Sequence, residues 1–268
     1  MKKLFLFFML LAVSLQCFGC GKKGDNKEMN TPKKYFTMSF DDGTYEDEKM
    51  ISLLKKYNVS ASFCINTGLM DGNDVIEVMG KWRRMSLEYA KEKGVYDGFD
   101  VISHGYYHRD MILQSADDVI SETNDDCAKI KELTGKKTVG FAYPGGTAHY
   151  DDSVIYALLD GTDVRFARDT DDTYGFSLPA NFMAWKPTCS LLDNRLMQVA
   201  KEFVESEATE DMLFYVWDHP WAITANNKWE AVENFLKYVS GREDVVYVSN
   251  TEFYNLFKDK IPSKGIVY

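Results

Sequence analysis

The chain has little histidine, cysteine or proline: four, five and six respectively among 268 residues. Cys17 and Cys20 lie close to the N-terminus. The remaining cysteines, Cys64, Cys127 and Cys189, are widely spaced and contain no Cys-x-x-Cys pair. That excludes a disulfide framework and a thiolate zinc site, and leaves them as small buried apolar residues. Positive charge is also short. Lysine and arginine number 31 against 41 aspartates and glutamates, a formal net charge of -10. Such a surface repels nucleic acid and anionic lipid, so neutral or cationic partners are expected and nucleic acid is not. No internal repeat or low-complexity segment breaks the chain. What is present is ample apolar material, 45% hydrophobic and 14% aromatic. That suffices for a packed core in one large domain or two small ones.

The N-terminus reads as an export signal. Lys2 and Lys3 precede an apolar run at residues 4–15, which falls short of the ~20 residues that a membrane-spanning helix needs. Gly19-Cys20 and the polar residues 21–26 resemble the cleavage and lipidation box of bacterial lipoproteins, with Cys17 and Phe18 departing from it. The division expected is a signal peptide at 1–19, a tether at 20–33 and one domain at 34–268. Lipidation at Cys20 would make this an exported bacterial lipoprotein of the cell envelope, touching the membrane through its lipid only. Ordinary cleavage nearby, releasing a soluble exported protein, is the alternative.

Beyond residue 33, strand and helix signals alternate. Short apolar runs at residues 35–40, 59–65, 99–103, 138–143, 164–167, 183–188, 213–217 and 245–249 suit strands, the sixth weakened by Pro187. Helical spacing appears at 47–58, 75–93, 116–133, 153–159, 194–207 and 229–239. This alternation predicts an α/β fold whose parallel sheet of about seven to eight strands curls into a distorted (β/α) barrel. Asp41-Asp42, His104, Pro144-Gly145 and His219 each follow a predicted strand. A parallel barrel would gather those strand ends on one face.

Those residues carry chemistry. Asp41 and Asp42 lie in Ser39-Phe40-Asp41-Asp42-Gly43. His104 and His108 lie in His104-Gly105-Tyr106-Tyr107-His108, and His219 ends Val216-Trp217-Asp218-His219. Two imidazoles one helical turn apart and one carboxylate could share a divalent cation with positions left for water and substrate. A second carboxylate and a third imidazole could move protons, so the set points to metal-assisted hydrolysis. Adjacent carboxylates repel, so one is expected to hold a cation or a proton. Alone, each element has a plainer reading: Asp42-Gly43 is also a common turn dipeptide, and His104 and His108 could lie on a surface loop.

Together the motifs closely resemble the polysaccharide deacetylase family with the NodB homology domain, carbohydrate esterase family 4. Its first motif, Thr/Ser-Phe-Asp-Asp-Gly, matches Ser39 to Gly43. Its second, His-Ser/Thr-x-x-His, matches His104 to His108 with Gly105 in place of the hydroxyl residue. Its third, Arg-x-Pro-x-Gly, corresponds to Ala142-Tyr143-Pro144-Gly145-Gly146 with Ala142 in place of the arginine. The resemblance implies a NodB-like barrel. It implies Asp41 as general base, His219 as general acid, and Asp42, His104 and His108 as ligands to a divalent cation, most often zinc. The N–H of Gly145, in the loop Tyr143, Pro144, Gly145, Gly146, would serve the oxyanion. The expected reaction is removal of N- or O-linked acetyl groups from an acetylated glycan. A hydrolase of non-sugar amides, or an inactive glycan-binding lipoprotein on the same scaffold, are the alternatives.

Other residues stay open. Arg168 either replaces the missing cation or pairs with Asp169 or Asp171 at the surface. The fourth family motif, Asp-x-x-Asp-Trp, is not located, and Trp185 is the nearest candidate for its aromatic. Trp217 and Trp221 could stack on a sugar, although a core role suits Trp217 better. His149 reads as a solvent loop residue. Asp218 neighbours His219, but on a strand it would point the other way. The sequence gives no oligomeric state.

Overall fold

The computed structural model describes residues 32–266. The expected signal peptide, Cys20 and the tether up to residue 31 lie outside the described residues. Strand β1 (Lys34–Asp41) is followed by α1 (Asp47–Tyr57), β2 (Ser62–Ile65), a two-stranded hairpin of β3 (Val75–Ile76) and β4 (Trp82–Arg83), α2 (Leu87–Lys93) and β5 (Asp100–Ser103). Then come α3 (Ala116–Thr134), β6 (Gly140–Ala142), α4 (Asp152–Gly161), β7 (Phe166–Arg168) and β8 (Cys189–Ser190). The chain closes with α5 (Leu196–Glu205), β9 (Met212–Asp218), α6 (Pro220–Ala225), α7 (Trp229–Val239), β10 (Val245–Tyr247) and α8 (Asn250–Phe257).

Eight strands form one sheet in the order β7-β6-β5-β2-β1-β9-β8, with β10 also pairing β1. Every pairing in it is parallel. β1 is the central strand. On one side it pairs with β9 from Lys34 to Phe40. On the other, β10 takes Lys34 to Phe36 and β2 takes Ser39 to Asp41. The sheet curls into a half-barrel with helices around it, the distorted (β/α) barrel expected from the alternation.

Burial on both faces explains the near-continuous apolar strands. From β1, Phe36, Met38 and Phe40 enter the layer shared with Met50 and Leu54 of α1, Val199 and Phe203 of α5, and Val232, Phe235 and Leu236 of α7. Tyr35 faces inward with Cys64, Ile102, Ala142, Phe166, Trp185, Tyr215 and Phe253. Polar residues share that inner side: Ser39 Oγ meets Tyr215 Oη at 2.9 Å, and Asn250 Nδ2 donates to Thr37 Oγ1 at 3.0 Å.

Two expected elements are different. The helix predicted over residues 75–93 survives only as α2, which starts where Ser86 Oγ caps Tyr89 N at 3.0 Å. Upstream of it the chain forms the β3–β4 hairpin, turning at Met79 and Gly80, both with positive φ. The strand predicted over 183–188 is instead a 3-10 turn, Phe182–Ala184, then a single bridge from Trp185 to Arg168. Pro187 delays regular pairing until β8, since proline gives the ladder no donor.

Candidate active site

Strand alternation aims Asp41 into the barrel. Continued, it would aim Asp42 the opposite way. Asp42 instead adopts φ 87°, a left-handed conformation that aspartate tolerates better than most residues, and donates its N–H to Cys64 O at 2.9 Å. Both carboxylates therefore reach one site. His219 Nε2 lies 3.9 Å from Asp41 Oδ2 and 3.8 Å from Asp42 Oδ2.

His104 and His108 follow β5, but not as a helical pair. Gly105 has φ 73° and His108 φ 51°, so the segment is a tight loop. Only glycine suits position 105, because a Cβ there would lie 3.1 Å from Pro144 Cγ in addition to the positive φ. Asn66 Nδ2 donates to His104 O and, at 2.8 Å, to Gly105 O. Asp126 of α3 accepts from Ser103 Oγ at 2.5 Å and Thr67 N at 2.8 Å, fixing both approaches to the loop. The two rings stand nearly perpendicular, 4.8 Å apart.

A carbonyl decides the tautomer of His104. Its Nδ1 donates to Ala142 O at 2.9 Å. Its Nε2 is buried without a hydrogen-bond partner, a cost that a ligand would remove. Asp42, His104 and His108 offer one ligand atom each, all within 4.8 Å of one another. This donor set, with its orphaned nitrogen, fits a divalent cation. Burial lowers the His104 pKa to about 4, which keeps the ring neutral as a ligand must be.

Two buried arginines flank the aspartates. Arg168, 1% exposed, donates from Nη2 to Asp41 Oδ1 at 2.6 Å and Oδ2 at 2.5 Å. Ala142 and Arg168 are register partners on β6 and β7, so this cation stands one strand along from the position where the family motif has arginine. The surface ion pair held open as its alternative is overturned by this burial. Arg84, 6% exposed, donates from Nη2 to Asp42 Oδ1 at 2.9 Å, and Trp221 Nε1 donates to Asp42 Oδ2 at 2.8 Å. Burial would raise both carboxyl pKa values. For Asp41 the charges of Arg168 and His219 outweigh it, and for Asp42 those of His219 and Arg84, so both lie below the usual range. Burial would lower His219, but the Asp218, Asp42 and Asp41 carboxylates push it up to about 9.

Some sequence expectations are corrected. Asp218 does not point away from His219. β9 ends at Asp218, and the turn into α6 brings Asp218 Oδ1 to 3.8 Å from His219 Nδ1. Ser190 Oγ and Leu192 N, at 2.5 and 3.0 Å, hold its other oxygen. Trp185 is fully buried against Tyr215 and Phe253, too deep to touch a substrate. The Tyr143 side chain is equally buried, stacked on Tyr150 and donating to Met183 O at 2.9 Å. Tyr143 and Pro144 instead shape a turn closed by Gly146 N to Tyr143 O at 3.0 Å, with Gly145 at its exposed corner. At Gly146 a Cβ would meet Thr170 Oγ1 at 2.0 Å. Trp217 is half-buried, its ring under the Arg168 guanidinium and edge-on to His219. His149 pairs through Nδ1 with Asp110 at 2.7 Å, linking the two loops beside the site.

Arg84, Asn66 and Asp126 were missed, and nothing local marks them. Asp169-Thr170-Asp171-Asp172 repeats the Asp-x-x-Asp spacing of the fourth family motif. Asp172 accepts from Trp217 Nε1 at 3.3 Å, with Thr173 where the motif has tryptophan.

A family model described as polysaccharide deacetylase matches residues 28–161, half of the 268-residue chain. The chain belongs to the polysaccharide deacetylase family. A Geobacillus stearothermophilus relative, named as an uncharacterized 30.6 kDa protein in the fumA 3' region, is 32% identical over 115 residues. That match covers 42% of this chain and 38% of the relative, so the chain spans well under half of that relative's length. The Xyl-CE4 domain of a multidomain xylanase from the hindgut metagenome of Trinervitermes trinervoides superposes with TM-score 0.56 at 16% identity, covering 87% of this deacetylase-family chain and 95% of that one. A CE4 family pseudoenzyme from Bacillus anthracis gives TM-score 0.51 at 18% identity over 83% of this chain and 65% of its own. These two structures share the fold with this family member.

Proposed function

We propose that this member of the polysaccharide deacetylase family is a metal-dependent hydrolase that removes acetyl groups, N- or O-linked, from a carbohydrate. The observation carrying the proposal is the cluster of Asp42, His104 and His108, with Asp41 and His219 within 4 Å of its members. Asp42, His104 and His108 would hold the cation, and zinc is proposed because it accepts two imidazoles and one carboxylate with a position left open. When bound, the cation supplies a Lewis acid that polarises the acyl carbonyl and makes water acidic.

The protein's own groups do the rest. Asp41, kept anionic by Arg168, takes the proton of the attacking water as its oxygen adds to the acyl carbon. The exposed corner at Gly145 offers a backbone N–H to the oxygen on which charge develops. His219 gives a proton to the leaving nitrogen or oxygen as the bond to the acyl carbon breaks. The products are acetate and a free amine or hydroxyl. A binding-only reading draws on Ala142 and on the incomplete fourth motif; the pairing of Arg168 with Asp41 weighs against the first of these.

The test is acetate release from acetylated glycans by the purified protein, with and without chelator. Activity should vanish on chelation, return with zinc, and be absent in His104→Ala. Hydrolysis indifferent to all three would end this reading. We also propose export through residues 1–19 and lipid attachment at Cys20. Metabolic labelling with a fatty acid, lost in Cys20→Ala, checks it, and an unlabelled wild-type protein would refute it.

A further inference from the structure

We infer that the hairpin formed by β3 and β4 is the support of the metal centre, with Arg84 and Trp221 as the residues that position Asp42 as a ligand. The inference rests on the metal-dependent reading above and adds residues outside the matched motifs.

Asp42 sits in a left-handed conformation at the end of a strand, where its backbone does not by itself fix its carboxylate. Three donors do. Arg84 Nη2 reaches Oδ1, Trp221 Nε1 reaches Oδ2, and Arg84 Nε donates to the main-chain oxygen of Asp42 at 3.1 Å. Each carboxylate oxygen thus has one lone pair engaged by the protein and one left over. His108 Nε2 lies 3.7 Å from Oδ1, on the side where the ligand atoms gather.

The hairpin supplies this grip from two directions. Arg84 follows β4 directly and is itself held by an ion pair with Asp74, just before β3. Its backbone bridges to Thr44, and Met85 N donates to Gly43 O at 3.1 Å, so the arginine is pinned beside the aspartate turn. From β4, Trp82 stacks on Trp221 with centroids 6.3 Å apart and planes 24° from parallel. One side of the carboxylate is held by Arg84 and the other by a tryptophan that the same hairpin buttresses. A planar guanidinium with several fixed donors suits this better than a lysine would.

Partners of metal ligands typically contribute about 10–100-fold to metal affinity. Zinc affinity of the full-length protein, measured by competition with a chromophoric chelator, is the readout. Arg84→Met should weaken zinc binding by about 10–100-fold, and Arg84→Lys should recover only part of it. Trp221→Phe, which keeps an aromatic face toward Trp82 but removes the donor, should weaken it by a smaller factor. Thermal unfolding in chelator identifies a variant that has lost its fold, in which case Arg84→Lys and Trp221→Phe carry the test. Zinc affinity unchanged or tighter in the folded variants overturns this inference alone. A wild-type protein that binds no zinc overturns it together with the function it rests on.

Discussion

Asp41 and Asp42 are neighbours in sequence with different supports. Asp41 is held from inside the sheet by Arg168, a buried residue on β7 that reaches across the half-barrel from a position 127 residues away. Asp42 is held from outside the sheet by Arg84, 42 residues away on the segment between β2 and α2, and by Trp221 at the start of α6. The difference has a physical logic. The side chain assigned to proton transfer gets its cation from a strand, whose height is set by the parallel register. The side chain assigned to the metal gets one donor from the end of a short hairpin and one from the start of α6, both outside that register. Both cations are buried, so each pairing must be complete to offset its desolvation.

The largest effect expected in breaking this comparison is on Asp41. Asp41→Asn keeps the shape but removes the base and one of the two oxygens that accept from Arg168, so kcat should fall by about 10²–10⁴ while zinc binding is retained. Titration with zinc beside an acetate-release assay checks both halves. Arg168→Met comes next. It leaves a buried carboxylate without its cation, a change that costs about 3–5 kcal/mol in comparable pairs and should also lower kcat. If the cation has simply moved from one strand to its neighbour, adding Ala142→Arg to Arg168→Ala should restore part of both losses, as urea unfolding and kinetics would show.

Acid titration sharpens the same contrast more gently. Asp41 and Asp42 both ionise below the usual carboxylate value of 3.8 in the folded protein. Their contribution to stability is therefore present above that pH and is lost as pH falls through their lowered folded values. In chelator-treated protein, urea midpoints should drop on this acid limb, and Arg168→Met should flatten the part that belongs to Asp41. The smallest effect lies away from both aspartates. Tyr143→Phe removes one buried hydrogen bond to Met183 O, so stability should fall by about 1 kcal/mol with little change in zinc affinity.

Much of this was legible in the sequence, and the failures have identifiable causes. β1, β5 and β9 announce themselves as apolar runs ending at Asp41-Asp42, before His104 and before His219, so topology alone gathers the site. The β3–β4 hairpin was hidden because its strands are two residues each, too short for a period of two to register over helical spacing. With the hairpin misread, Arg84 fell on a supposed helix and could not be placed near Asp42. Asp218 was misjudged because alternation was extended one residue past the strand that justified it. Arg168 follows a strand in the sequence, but only its burial against Asp41 separates a stand-in cation from a surface pair.

The bond between His104 Nδ1 and the oxygen of residue 142 has a consequence for how this scaffold can vary. That oxygen belongs to the main chain, so no substitution at 142 short of breaking the strand can take it away. Orientation of the imidazole is inherited with the sheet itself and does not depend on which side chain packs at 142. A lineage could therefore exchange its charged groups between strands without ever passing through a form that had lost hold of this histidine.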